Sequence, residues 1–146
     1  MKKALSRFAP HREPPRRVRA RLEPALNRFA DRHVFTLNPF TDGDAVEVAF
    51  AGLRPFTLSA EMLRVMSPSA EVQGHSPEQR VTVGRKRNVK IKELKPVGNY
   101  AVRIVFDDGH DTGLYAWSYL QTLDKERDKR WAEYLSSLAQ MGLSRG

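Results

Sequence analysis

The chain has 146 residues, a length that fits one domain with a tail. It contains no cysteine, which excludes disulfides, thiolate chemistry and cysteine-ligated zinc or iron–sulfur clusters. The net charge of +8 is unevenly placed, because residues 1–36 hold ten Lys or Arg against three Asp or Glu, whereas residues 37–146 hold fifteen against fourteen. The main part of the chain is therefore nearly neutral, which disfavours nucleic-acid binding outside the basic segment.

The first 33 residues form a basic arm that we expect to be partly helical or mobile. Apolar residues between Val18 and Phe29 recur at helical spacing, but Pro24 interrupts the pattern. No run approaches 18 apolar residues, and the start lacks the apolar stretch of a secretory signal. We therefore expect a cytoplasmic protein with no membrane partner.

After the arm, alternating apolar residues predict short strands separated by turns. "VFTLN" and "AVEVAF" read as strands around a turn at residues 41–44, and "PFTLSAEML" as a strand that leads into a helix capped by Ser59. The Ser-, Pro- and Gly-rich segment over residues 67–80 is a predicted loop.

Two later segments predict an antiparallel hairpin followed by helices. "NVKIKELKPVG" alternates, with a slip before Leu94, and "NYAVRIVF" places alternate residues from Tyr100 to Phe106 on one face. "LYAWSYLQTL" and the final segment have helical spacing, with Gly142 as the stop. The sum is an α+β fold, a two-layer arrangement of a small antiparallel sheet with packed helices plus a C-terminal amphipathic helix.

The stretch "FDDGHDTGLYAW" gathers three acids and one of the four histidines: Asp107, Asp108, His110 and Asp111. Asp-Gly and Asp-Thr-Gly supply turn chemistry, because Asp stabilises tight turns and Gly accepts positive φ. The same side chains offer nitrogen and oxygen donors to a metal, although adjacent residues rarely all converge on one ion. A structural turn is the favoured interpretation, with a ligand-binding or catalytic role as the alternative.

Two blocks, "LRVMSPSAEVQGH" and "VGNYAVRIVFDDGHDTGLYAWSYL", resemble the gamma-butyrobetaine hydroxylase-like N-terminal domain family, long catalogued as a domain of unknown function. The resemblance divides the chain into a basic arm over residues 1–33, the family domain over 34–123 and a C-terminal helix over 124–146. It implies an α+β domain. Members stand alone in bacteria, are attached to ATPases of iron–sulfur cluster assembly, or precede the catalytic domain of carnitine-synthesis oxygenases.

In those oxygenases the family domain holds a structural zinc through three cysteines and the histidine of the Asp-Gly-His motif. Here Ser67, Ser69 and Val72 stand where the cysteines would be, and only His110 remains. We therefore expect that zinc site to be absent, no cofactor to be bound, and the loop to be held by hydrogen bonds and packing. The iron and 2-oxoglutarate of the oxygenases belong to a separate domain, for which no room follows residue 123, so we expect the accessory domain alone.

The resemblance therefore favours a non-catalytic accessory or interaction domain that binds another protein, in a setting of iron–sulfur or cofactor metabolism. Polar residues on two loops form the candidate binding surface, since binding residues usually lie on loops at one end of a scaffold. They are Ser67, Ser69, Glu71, His75, Asp108, His110 and Tyr115. The alternative that these side chains only satisfy loop backbone groups stays open, as does self-association.

Two other function classes follow from the residues. A small metal-dependent enzyme would use His75 and His110 with Asp108 or a neighbouring aspartate, at ligand distances of about 2.0–2.2 Å. Nucleic-acid binding would use the basic arm and would weaken steeply with salt. The cations in residues 85–92 lack the aromatic platform of single-strand binders, so we expect a solvated turn there.

Overall fold

The computed structural model describes residues 35–50, 54–74, 76–98 and 100–146. The basic arm over residues 1–33, with its expected helix and its hypothesised nucleic-acid contact, lies outside the described residues, and so does His75.

In the described part of the chain, three strands are followed by short helices, and three further strands are followed by two longer helices. The strands are β1 (Phe35–Pro39), β2 (Ala45–Phe50), β3 (Phe56–Ser59), β4 (Ile91–Val97), β5 (Ala101–Phe106) and β6 (Leu114–Ala116). The α-helices are α1 (Ala60–Val65), α2 (Ala70–Gln73), α3 (Trp117–Lys125) and α4 (Arg127–Gln140), with a 3-10 turn at Pro77–Gln79. The predicted α+β class is confirmed.

The strands form two antiparallel three-stranded sheets, ordered β1-β2-β3 and β4-β5-β6. Alternation on β2 buries Val46 and Val48, and Val46 pairs with the buried Leu58 of β3. The sequence predicted one small sheet, whereas the structure has two. This division depends on which strands pair, and the alternation of apolar residues within each strand does not reveal it.

Gly43 joins the first sheet to the second. Its φ of +79° closes the turn between β1 and β2, a backbone conformation that glycine adopts without strain. The amide of Ile91 at the start of β4 donates to the Gly43 carbonyl at 2.6 Å. A Cβ at position 43 would lie 2.8 Å from the Ile91 carbonyl oxygen, so the close approach of the two sheets requires glycine.

The predicted hairpin of β4 and β5 is confirmed, and the slip before Leu94 corresponds to a register shift between Ile91 and Glu93. The predicted placement of Tyr100 in the strand, on one face with Phe106, is wrong: this residue lies in the turn before β5 and is 57% exposed. The helix expected to begin at Leu114 is also wrong in its first three residues. They form β6, because pairing with β5 decides their conformation, and α3 begins only at Trp117.

The transition from β3 into α1 follows the prediction. The Ser59 hydroxyl accepts a hydrogen bond from the Met62 amide at 3.0 Å and so caps α1. The segment over residues 67–80, predicted as a loop, contains the one-turn helix α2 and the 3-10 turn. These elements are too short to leave a periodic pattern in the sequence.

The C-terminal helix packs on the domain of its own chain. Trp131, Tyr134 and Leu138 of α4 join the same buried cluster as the strands and α3. The chain after α4 is held by Arg145, which donates from two guanidinium nitrogens to the carboxylate of the buried Glu61, at 2.8 and 2.7 Å. Of the helices in the described residues, none has the length and apolar character needed to cross a membrane.

Candidate functional site

The Asp-Gly-His stretch after β5 is a tight turn that folds His110 back onto the strand. Gly109 has a φ of +93° and donates to the Phe106 carbonyl at 3.2 Å, while the Phe106 amide donates to the His110 carbonyl at 3.0 Å. The side chain of Asp107 accepts from the Lys90 amide at 3.0 Å. This stretch therefore has the turn role that its residue types predict.

Asp108 is held by three donors. Its Oδ2 accepts from Arg64 Nε at 2.7 Å and from Lys86 Nζ at 2.6 Å, and its Oδ1 accepts from the His110 amide at 3.0 Å. Although partial burial opposes ionisation, these hydrogen bonds lower the pKa of Asp108 to about 2. The carboxylate is therefore charged at neutral pH and joins the turn to α1.

His110 is buried and has a partner at each ring nitrogen. Nε2 lies 2.9 Å from the Ser67 hydroxyl and 3.5 Å from the Ser69 hydroxyl, and Nδ1 lies 3.2 Å from Glu71 Oε1. Burial, followed by the nearby Arg64 cation, lowers the pKa of His110, so the neutral ring is favoured. The neighbours then assign the tautomer: Nδ1–H donates to Glu71, and Nε2 accepts from Ser67.

The loop around Ser67 is built tightly against this ring. Ser67 has an exposed fraction of 0%, and its hydroxyl oxygen also accepts a hydrogen bond from the Ser69 amide at 3.3 Å. Its carbonyl accepts from the Gln73 side chain at 2.8 Å. Gly113 provides the space, because a Cβ there would lie 2.5 Å from Ser67 Oγ. We call Ser67, Ser69, Glu71 and His110 the Ser–His–Glu cluster.

Tyr115 of β6 lies beside the cluster and binds α1. Its side chain is fully buried, and its hydroxyl donates to the Leu63 carbonyl of α1. Burial raises the pKa of the Tyr115 phenol, so it stays protonated and keeps this hydrogen bond. Tyr119 makes a similar bond to the Met66 carbonyl at 2.6 Å. The two tyrosines fix the end of α1, from which the Ser67 loop departs.

The structure brings most of the candidate surface residues together. Four of them form the Ser–His–Glu cluster, while Asp108 and Tyr115 flank it. Most of this set is buried rather than presented to solvent, and Glu71 is its most exposed side chain. These contacts are those of side chains that hold two loops together. That a partner binds at this position stays a prediction.

The residues present do not fit the family's zinc. The four positions that match the family's zinc ligands carry two hydroxyl groups, an imidazole and the apolar side chain of Val72, a donor set that zinc does not favour. The cations Arg64 and Lys86 both contact Asp108, so this carboxylate is already neutralised. Over residues 35–50, 54–74, 76–98 and 100–146, no group of three or more His, Cys, Asp or Glu is placed to hold a metal.

The order serine, histidine, carboxylate is also that of a nucleophile, its general base and the group that orients the base. Along the chain the order is Ser67, Glu71, His110, which is also the order of α/β-hydrolases, but no G-x-S-x-G motif surrounds Ser67. A nucleophile must reach its substrate, however, and Ser67 has no exposed surface. The hydrogen bonds therefore close the loop onto the turn and do not prepare Ser67 for attack.

Three contributors to the cluster were missed by sequence reasoning. Gly113 admits Ser67, Thr112 donates to Glu71 Oε1 at 3.1 Å, and Arg64 holds the turn through Asp108. All three lie within the two blocks that carried the family resemblance, which is the signal that could have identified them.

Comparisons with known proteins agree with this fold. The family model described as "Gamma-butyrobetaine hydroxylase-like, N-terminal" matches residues 39–121. Two proteins with NMR solution structures are similar: one is 50% identical over 70% of this chain and 76% of its own, with a TM-score of 0.61, and the other is 45% identical over 70% and 81%, with a TM-score of 0.60. A crystal structure from Acidithiobacillus ferrooxidans, of a protein of unknown function in the DUF971 family, is 36% identical over 61% of this chain and 89% of its own, with a TM-score of 0.50. No curated protein matches the chain.

Proposed function

Since the chain belongs to the gamma-butyrobetaine hydroxylase-like N-terminal family, we propose that it is a non-catalytic interaction domain that binds another protein. The proposal places it in the cytoplasm and, through the family resemblance, in iron–sulfur or cofactor metabolism. The full burial of Ser67 in its bond to His110 is the observation that carries it. The groups best suited to chemistry are occupied by hydrogen bonds inside the fold.

The same observation weakens the metal-dependent enzyme as an alternative. His110 already has a partner at each nitrogen, and Asp108 is bound by two cations. A metal ion would have to displace these partners and would sit beside Arg64 and Lys86, whose positive charges repel it. An interaction domain needs only a stable scaffold, which the cluster supplies by joining the Ser67 loop to the turn after β5.

The test is to identify a partner and then to ask whether the cluster contributes to binding. The tagged full chain would be chemically crosslinked in the cells that produce it, and partners found by mass spectrometry would be purified and titrated by calorimetry. We expect a saturable complex with wild type, and unchanged affinity for a Ser67→Ala variant studied well below its unfolding temperature. The proposal is overturned if purified wild type carries stoichiometric metal or turns over a substrate, and His110→Ala abolishes that property.

A further inference from the structure

A groove of about 270 Å³ lies between α4 and the rest of the domain, and no residue of the Ser–His–Glu cluster lines it. One wall is α4 together with the turn before it, and the other is the segment from Arg80 to Thr82. The end of α1, at Val65 and Met66, lines the groove with apolar atoms. The family match ends at residue 121, so the wall formed by α4 lies outside it.

Hydrogen bonds fix both walls of this groove. The Tyr134 hydroxyl of α4 donates to the Val83 carbonyl at 2.6 Å, which joins one wall to the other. The Val81 amide donates to the Val72 carbonyl at 2.7 Å, which fastens the 80–82 segment to α2. Burial raises the pKa of Tyr134 to about 12, so the phenol keeps its donor proton at neutral pH. The groove is therefore a formed feature of the fold.

The charges that line the groove favour an anionic ligand. Arg130 and Glu126 neutralise each other, with Nε and Oε1 2.8 Å apart. In the part of the chain that the structure describes, neither Arg80 nor Lys129 forms an ion pair within 4.0 Å, and both line the groove. Glu133 is the remaining carboxylate, so the cations left over exceed it by one.

The size of the groove favours a segment of protein over a free small molecule. Its volume lies below the range of about 300–1,000 Å³ that encloses drug-sized ligands. A small acid held on few sides gains little affinity, whereas a peptide continues onto neighbouring surface. Val81 supplies such surface, because its side chain is 50% exposed at the groove. We infer that this groove binds an acidic segment of a partner protein, with a carboxylate side chain placed between Arg80 and Lys129.

The inference rests on the proposed function, because it names the chemistry of the partner that such an interaction domain would bind. The probe is an acetylated and amidated pentapeptide of sequence Gly-Glu-Val-Glu-Gly, titrated into the full 15N-labelled chain. We expect amide shifts concentrated at groove residues such as Val81, Thr82 and Ser137. The matched Gly-Gln-Val-Gln-Gly peptide should bind at least about threefold more weakly, since the charge pairs are lost.

Two groove variants should change the affinity in opposite directions. Lys129→Glu should weaken the acidic peptide about three- to tenfold, because an attraction is replaced by a repulsion, and Glu133→Gln should strengthen it. Lys92→Glu and Glu93→Gln on β4 make the same charge changes away from the groove and should leave the affinity within about twofold.

Three outcomes would overturn the inference that the groove binds an acidic segment. These are no shifts at millimolar peptide, equal effects of the α4 and β4 variants, or equal shifts and affinity with glutarate, which would make it a pocket for small acids. A partner that binds the full chain with an affinity unaffected by Lys129→Glu would refute the groove and leave the interaction domain intact. Failure of the interaction domain requires the metal or turnover result described above.

Discussion

Gly113→Ala tests the Ser–His–Glu cluster at its tightest contact. The added Cβ would lie 2.5 Å from Ser67 Oγ and 3.1 Å from Tyr115 Cε1. The φ of Gly113 is outside the left-handed region, so the cost is steric and does not come from the backbone. Overpacking of a buried site costs about 1–3 kcal/mol. Ser67 can relieve the overlap only by rotating, which breaks its bond to His110.

The double variant of Gly113→Ala and Ser67→Ala tests the predicted destabilisation. Ser67→Ala alone leaves the buried Nε2 of His110 without its nearest donor, at a cost of about 1–3 kcal/mol. In the double variant the Cβ of residue 113 meets no hydroxyl oxygen, so the two costs should overlap. We expect the double variant to be less destabilised than the sum of the single variants by about 1 kcal/mol or more.

The assay is urea unfolding of all four proteins, followed by both tryptophan fluorescence and circular dichroism so that two-state behaviour is checked. Gly109→Ala is the matched control: its φ of +93° predicts backbone strain of roughly 1–2 kcal/mol, but nothing lies within 4 Å of the added Cβ. It should therefore show no coupling to Ser67→Ala. Additive costs for Gly113→Ala and Ser67→Ala would refute the contact as described.

Further predictions concern titration, the C-terminal ion pair and metal binding. Burial lowers the pKa of His110 in the folded chain, so the unfolded chain binds the proton more readily and the free energy of unfolding should fall as the pH drops below about 6.5. His110→Asn should reduce this pH dependence in urea unfolding. An unchanged pH dependence in the variant would exclude the ring as its source. The pKa of Asp108 is lowered to about 2, so its contribution, about 1 kcal/mol after allowance for solvent, should be present above pH 4 and be lost as the pH falls toward 2, except in Asp108→Asn. Arg145→Gln should lower the free energy of unfolding by about 2–3 kcal/mol, because Glu61, whose side chain is 8% exposed, loses its bidentate partner. The double variant Glu61→Gln with Arg145→Gln should recover part of that stability in urea unfolding. Equal destabilisation of the single and double variants would show that the pair contributes nothing beyond packing. Three positions stand where the family resemblance places cysteines, and all can be changed to cysteine together: Ser67, Ser69 and Val72. That triple variant should bind about one zinc per chain by elemental analysis and lose it with His110→Ala, while wild type binds none; a metal-free triple variant would show that the loop and the ring do not converge as the distances indicate.

The parts of the fold that sequence reasoning predicted are those decided by local pattern. The alternation on β2 and β5 produces strands, and the Ser59 hydroxyl caps α1, because a side chain and its backbone partner three residues away need no distant contact. Even the irregular register before Leu94 was visible, since a slip in alternation leaves one residue out of phase. Secondary structure of this kind is encoded within a few residues.

The parts that were missed depend on distant residues. Leu114 to Ala116 carry a helical spacing with the residues that follow, yet they pair with β5 because Tyr115 fits opposite Val102 and reaches the Leu63 carbonyl. Tyr100 fits the alternation of β5, but the turn ends one residue later and leaves its ring in solvent. At β6, pairing with a distant strand overrides a local helical pattern, whereas at Tyr100 the bound of the turn decides.

The candidate site shows the same limit in its chemistry. Ser67 and Ser69 contact His110, which lies more than 40 residues later in the chain. Only the family resemblance, in which the equivalent positions share one ion, allowed this contact to be expected. Hydrogen bonds that hold this loop were expected, but the residue that binds Nδ1 was not. A metal draws its ligands from all directions, whereas a histidine needs one donor and one acceptor in the ring plane. Ser67 supplies the donor and Glu71 the acceptor, although Glu71 stands at no position that the zinc motif marks. The contact between Glu71 and Nδ1 therefore follows from the three-dimensional structure and from no spacing in the sequence.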